Sequence, residues 1–251
     1  MPAERHSATP DRAPPLSLGD TSLFFDFDGT LVDLADTPDA VVVDSSLLAQ
    51  LDALAARLPG RVAIVSGRSI AQLDAMLGDH ARLFAVAGSH GAERRTPDEG
   101  HVMPPPPAVL ERAAAELSAY AAAHDLVFEA KSLGAALHYR SRPEHEADAV
   151  QFVEQIALTH ALTLQRGKMM VEVRSPGDKG AALTTLMAAP TMAGTKPLFF
   201  GDDVTDEDGF VAAAALGGNG VLIGAERPTA ASYRLGDVNA LRGWIAAILE
   251  I

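Results

Sequence analysis

Asp26-Phe27-Asp28-Gly29-Thr30 sets two carboxylates two residues apart directly after an apolar run, so both leave the carboxyl end of a strand on the same side. Two acids so close need compensation. A divalent cation supplies it, and beside a cation one carboxylate can attack phosphorus while the other moves protons. An Asp-Gly turn that merely ends a strand uses the same residue types, and this pentapeptide alone does not separate the two. Gly201-Asp202-Asp203-Val204-Thr205-Asp206-Glu207-Asp208 follows a second apolar run and holds five acids in seven positions. Acids at that density repel one another unless a hard, oxygen-seeking cation sits among them, and Mg²⁺ is the usual ion beside phosphate. The alternative is a solvated loop in which Asp206 or Glu207 caps the next helix. The ligand spacing and sixth-position glycine of an EF-hand are missing. Ser66-Gly67-Arg68 joins a strand to a helix, where a hydroxyl and backbone N–H groups can cradle phosphate or the serine can simply cap. Asp178-Lys179-Gly180 opens a helix, and a lysine in that first turn opposes the helix dipole, a penalty that an anionic partner offsets.

The elements that must position these residues are legible as patterns. Short apolar runs at residues 22–27, 61–66, 83–88, 197–201 and 220–224 predict buried strands. Helical spacing joins Leu47, Leu48, Leu51, Leu54 and Leu58, then Ile70, Leu73 and Leu77, and finally Val238, Leu241, Ile245, Ile248 and Leu249. Strands alternating with helices predict an α/β fold with a parallel sheet covered on both faces and ligands at the strands' carboxyl ends. The middle departs from this pattern. Helices are predicted at 108–124 and 143–160 and strands at 126–131, 134–139, 162–165 and 169–173, with turns at Ser132-Leu133 and Arg166-Gly167-Lys168. This is an α+β unit inserted into the core, expected at 104–173, with the core at 21–103 and 174–251 and a loose arm at 1–20. Strand alternation places Glu129 and Lys131 on one face, and likewise His138 and Arg140. A solvated face with cross-strand ion pairs and a sugar-binding face both fit that composition.

The 251 residues are 48% apolar and 21% charged, values of an ordinary folded chain long enough for a sizeable core. A net charge of −13 argues against nucleic acid as a partner. Without cysteine there are no disulfides, thiolate metal sites or cysteine nucleophiles. No apolar stretch reaches membrane-spanning length, and the polar, Pro-rich first twenty residues show no secretory pattern, so the cytoplasm is expected. The eight histidines lack zinc-enzyme spacing.

In order and position the four motifs resemble those of the haloacid dehalogenase-like (HAD) phosphohydrolases, whose core is Rossmann-like. The resemblance implies that Asp26 is the nucleophile, forming an aspartyl-phosphate, and that Asp28 serves the leaving oxygen and then the water. Ser66 and Lys179 would hold the phosphoryl group. Asp26, the backbone carbonyl of Asp28, and Asp202 would hold Mg²⁺, with Asp203 and Asp206 positioning the ion and its waters. The inserted unit resembles the family's C2-type cap, which selects the leaving group. The wider set "DFDGTL", "VSGR", "GSHGAE", "LHYR", "GKMMVEVR", "KG" and "GDDVTDED", from about Leu23 to Trp244, is similar to the trehalose-6-phosphate phosphatases. That implies a small-molecule sugar phosphate substrate, a monomer, and substrate contacts from Gly67, Arg68, Glu129, Lys131, Arg140, Lys168 and Glu172. His90 and Glu93 would take supporting roles. Asp178 departs from the family's usual Asn before the lysine, and could ion-pair with Lys179 or weaken its grip on phosphate. Two rivals stay open: another C2-capped sugar phosphatase, acting on sucrose phosphate or a glycosyl phosphoglycerate, and a non-catalytic domain that binds metal and sugar phosphate.

Overall fold

The computed structural model describes residues 12–35, 40–97, 100–102, 108–131, 133–167, 169–175 and 177–251. The chain divides into two compact units, Met1–Met103 with Asp178–Ile251, and Pro104–Gly177. The second crossing falls four residues later than expected, because the last strand of the inserted unit runs on through Arg174, paired with Gly134 and Thr163.

In the first unit the strands are β1 (Thr21–Phe25), β2 (Val62–Val65), β3 (Ala85–Gly88), β4 (Glu93–Thr96), β5 (Gly100–Val102), and, after the insertion, β10 (Lys196–Gly201), β11 (Asn219–Ile223) and β12 (Tyr233–Leu235). They form one sheet in the order β12-β11-β10-β1-β2-β3-β4-β5, parallel from β12 to β3 and antiparallel at β4 and β5. Alternation along the parallel strands feeds two cores. Leu23, Phe25, Ile64, Val86, Phe200 and Val221 face α1 (Ser45–Arg57), α2 (Ile70–Leu77) and α7 (Val238–Leu249). Phe24, Ala63, Ala87, Phe199 and Leu222 face α5 (Lys179–Met187) and α6 (Glu207–Ala215). Burial on both faces explains the unbroken apolar runs. The strands at 93–96, 100–102 and 233–235 have no such run: β4 is Glu-Arg-Arg-Thr, half-exposed near the sheet's edge, and edge positions demand no apolar pattern.

The N-terminal arm is tied down where it is described. The edge strand β12 needs an acceptor, and the Arg234 N–H donates to the Arg12 carbonyl at 2.9 Å. The buried Trp244 indole donates to the Pro14 carbonyl at 3.2 Å, and the Arg12 guanidinium lies 4.9 Å from the centroid of the Tyr233 ring. The expectation of a loose arm therefore does not hold for residues 12–20; residues 1–11 lie outside the described part.

The second unit is a four-stranded antiparallel sheet, β6 (Val127–Lys131), β7 (Gly134–His138), β9 (Met170–Arg174) and β8 (Thr163–Gly167), in the order β6-β7-β9-β8. One face, with Ala135, Leu137, Val171 and Val173, packs on α3 (Ala108–His124) and α4 (Glu146–His160). The register places Glu129, Ala136, Glu172 and Gln165 in one row of the opposite face. Two expectations need correction. Arg166 and Gly167 belong to β8 rather than to a turn, and Arg140 lies beyond β7 in an exposed turn closed by the Arg142 N–H on the Tyr139 carbonyl at 3.0 Å. Among the described residues no helix is long and apolar enough to cross a membrane.

Candidate active site

The parallel register brings the ends of β1, β2 and β10 to one edge. Phe25 sits opposite Ile64 and Phe200, so Asp26, Ser66 and the acidic run leave neighbouring strands at their carboxyl ends. Asp26 is anchored by its N–H on the Phe200 carbonyl at 2.8 Å, Ser66 by its N–H on the Ala87 carbonyl at 2.9 Å. Lys179 opens α5 and donates from Nζ to Asp26 Oδ1 and to Asp206 Oδ1, both at 2.7 Å. All three are almost fully buried, at 3% exposure for Lys179, 4% for Asp26 and 0% for Asp206. Carboxylate oxygens of Asp26, Asp202 and Asp206 lie within 4.8 Å of one another.

One cation among three carboxylates leaves excess negative charge in a dry place. Burial above all, then the repulsion from Asp206 and Asp202, outweighs Lys179 and pushes Asp26 up to about 8. Burial, followed by Asp206, also raises Asp202. For Lys179, burial pulls downward, but Asp26 and Asp206 together pull harder and keep it charged. The donor set is all oxygen and under-neutralised, which fits a hard divalent cation. The backbone is shaped to let these carboxylates approach. Gly29 has φ +79°, and a Cβ there would overlap the Asp202 carboxylate; a Cβ on Gly201 would overlap Asp206.

The other predicted residues separate into distinct roles. Asp28 stands apart from the cluster, its carboxylate gripped by Arg68 through two bonds of 2.7 Å. Asp203 turns outward: its Oδ1 accepts from the Val204 N–H at 2.5 Å while its own N–H donates to Asp206 Oδ2 at 2.9 Å, a reciprocal cap that fixes the loop. Of the two residues expected to position the ion and its waters, Asp203 is engaged in capping its loop and Asp206 adjoins Asp26 and Asp202. Ser66 Oγ accepts from the Arg68 N–H at 3.1 Å. Gly67 carries no side chain because a Cβ would lie 2.7 Å from His90 Nε2. Ser89 and His90 both adopt positive φ, a strain held by Ser89 N–H on the Arg68 carbonyl at 2.7 Å and His90 N–H on the Ser66 carbonyl at 2.8 Å. The buried Glu93 carboxylate accepts from Ser89 Oγ at 2.9 Å and from the first N–H of α2, on Ile70, at 3.1 Å. Asp178 does not pair with Lys179; it caps α5, accepting from Gly180 N–H at 2.7 Å and Ala181 N–H at 3.1 Å.

In the second unit Glu129 is bonded to His138 Nε2 at 2.7 Å, and Glu172, in the same row, is buried at 8% exposure beside Gly134. Lys168 and the side chain of Lys131 lie outside the described residues. Three contributors escaped sequence reading. Thr30 Oγ1 donates to Asp202 Oδ1 at 3.2 Å. Arg227 bonds to the carbonyls of the acidic loop. Arg174 shares the polar sheet face with Glu172, with buried Nε and Nη1 lacking partners among the described residues. Thr30 and Arg174 lie inside motifs the sequence shows, but what they touch is set by the fold; Arg227, alone in its segment, carries no spacing signal.

A parallel sheet with an acidic cluster at its carboxyl edge and an inserted α+β unit is an architecture this chain shares with solved HAD-like hydrolases. A haloacid dehalogenase-like hydrolase from Bacteroides thetaiotaomicron matches it with a TM-score of 0.68 over 90% of this chain and 98% of that one, at 16% identity, a likeness of fold. The Trehalose-phosphatase family matches residues 24–239, and the chain belongs to that family. The "Probable trehalose-phosphate phosphatase" of Sinorhizobium fredii is 41% identical over 92% of this chain and 88% of its own length. The "Trehalose-6-phosphate phosphatase" of Escherichia coli is 38% identical over 90% and 85%.

Proposed function

We propose that this chain is a Mg²⁺-dependent phosphatase that hydrolyses trehalose 6-phosphate to trehalose and inorganic phosphate, acting as a cytoplasmic monomer in trehalose biosynthesis. The observation that carries the reading is Lys179 held between Asp26 and Asp206 with Asp202 adjoining, at the end of the central strand. Asp26, Asp202 and Asp206 would hold the ion. When bound, Mg²⁺ neutralises phosphoryl oxygens and lowers the repulsion between phosphate and carboxylate.

The protein's own groups do the rest. An Asp26 oxygen attacks phosphorus and the bond from phosphorus to the sugar oxygen breaks, leaving an aspartyl-phosphate. Asp28, protonated, gives its proton to the departing oxygen. It then takes a proton from water, whose oxygen attacks phosphorus and releases phosphate from Asp26. Lys179, Ser66 Oγ and the backbone N–H groups beside Gly67 bear the charge on the phosphoryl oxygens. Arg68 grips Asp28 in this arrangement, so the pair must open before Asp28 serves the leaving oxygen.

On the inserted unit, Glu129, Lys131, Arg140, Lys168 and Glu172 are assigned to the disaccharide. A ligand rich in hydroxyls suits that face, where the carboxylates of Glu129 and Glu172 share one row and can accept from sugar hydroxyls. The test is phosphate release from trehalose 6-phosphate, sucrose 6-phosphate, glucose 6-phosphate and mannosyl phosphoglycerate, with Mg²⁺ and with EDTA. Selective, EDTA-sensitive release from the first supports the reading. Release from another member discards the cap residues, and release from none discards the enzyme.

A further inference from the structure

Arg227 lies in the segment that follows β11, some twenty residues beyond the acidic run. Its guanidinium is only partly exposed and reaches back to that run. Nη1 bonds to the Glu207 carboxylate, and Nη2 donates to the Asp203 carbonyl at 2.8 Å and the Asp202 carbonyl at 3.4 Å. The second Glu207 oxygen accepts from the Ala230 N–H at 2.7 Å, which closes the contact from the other side. One planar cation thus ties the first residue of α6 to the two carbonyls that immediately follow β10.

The segment it holds has a physical difficulty. Asp202, Asp203, Asp206 and Glu207 stand within six positions, and like charges so near one another favour a spread-out loop. Two contacts constrain it from within or nearby, the reciprocal cap of Asp203 with Asp206 and the Thr30 bond to Asp202. The Asp206 N–H also donates to the Asp203 carbonyl at 3.1 Å; Arg227 gives that carbonyl a second donor and reaches the Asp202 carbonyl, whose orientation bears on where the Asp202 side chain emerges. The fork geometry of arginine suits two acceptors at fixed spacing, which a lysine's point charge does not.

We propose that Arg227 is a positioning residue of the cation site, clamping the backbone of Asp202 and Asp203 so that the Asp202 carboxylate is presented to Asp26 and Asp206 before an ion arrives. This rests on the cation reading of those three carboxylates. Arg227 acts through Asp202 rather than on any reacting atom, so its loss weakens metal binding more than it alters the chemistry at saturating metal.

The test is Mn²⁺ binding to the full chain, measured by calorimetry without substrate, in the wild type and in Arg227→Ala. The expected result is a dissociation constant raised about 10- to 100-fold, the range for residues that orient metal ligands. The metal-free circular dichroism spectrum stays unchanged, and the Mg²⁺ concentration for half-maximal activity rises while kcat at saturation moves little. Should the alanine variant lose its metal-free spectrum, Arg227→Gln, which keeps much of the side chain's bulk without the charged fork, replaces it with the same expectation. Wild-type affinity in a folded variant overturns the proposal alone. Absence of Mn²⁺ binding by the wild type overturns the cation reading, and this proposal with it.

Discussion

Asp26 is where the site's physics concentrates. Its carboxyl is pushed up to about 8, against an ordinary value near ~4. The folded, metal-free protein therefore binds a proton that the unfolded chain releases between those values. Stability from that proton is complete below about pH 4 and is lost as pH rises through about 8. Metal-free wild type should thus lose melting temperature relative to Asp26→Asn between pH 5 and 8.5. The rise in melting temperature on adding Mg²⁺ should grow over the same window, because the cation displaces the proton. A pH-independent Mg²⁺ increment in scanning calorimetry contradicts this. Asp26→Asn should also reduce turnover at least about a thousand-fold while keeping the fold, since it removes the attacking oxygen. Lys179→Ala removes a cation bonded to both Asp26 and Asp206, and breaking such a buried pair costs about 3–5 kcal/mol, to be read by urea unfolding in EDTA.

At the level of elements, the site is a set of strand ends and helix starts held by caps and close approaches. The N-cap of α5 explains how this chain carries Asp178 before its lysine: the carboxylate is spent on the Gly180 and Ala181 N–H groups. Asp178→Asn should therefore leave kcat/KM within about twofold and stability nearly unchanged, whereas Asp178→Ala should lose about 1 kcal/mol. A large gain in activity for the asparagine variant would show that the extra charge does bear on Lys179. The turn after β1 depends on Gly29, whose positive φ and lack of a Cβ leave room for Asp202. Gly29→Ala should destabilise by about 1–3 kcal/mol and abolish the Mg²⁺-induced rise in melting temperature. Retention of that rise would mean that the Asp202 carboxylate is free to move aside.

For the whole molecule, chemistry and selectivity are assigned to separate units, so they should separate in kinetics. Glu172→Gln, on the polar face of the inserted sheet, should raise KM for trehalose 6-phosphate more than about tenfold and leave hydrolysis of p-nitrophenyl phosphate within about twofold. Equal effects on both substrates would remove Glu172 from sugar recognition. How much of this was legible follows from how each feature is encoded. The parallel strands announced themselves because burial on both faces demands unbroken apolar runs, and α1, α2 and α7 followed from their periodicity. Asp26, Ser66, Lys179 and Asp202 were found because each sits at a strand end or helix start marked by its own short motif. By itself, then, the sequence determined the α/β class, the inserted unit and the family, since these rest on local pattern and spacing. Tertiary structure alone decided which acids share the cluster, turning Asp203 out to cap its loop and Asp206 in to meet Lys179. It likewise decided that Asp28 rests on Arg68, that the arm straps an edge strand, and that Arg227 reaches back to the acidic loop. Those pairings join residues distant in the chain, and their partners are chosen by geometry and charge that no short-range pattern records.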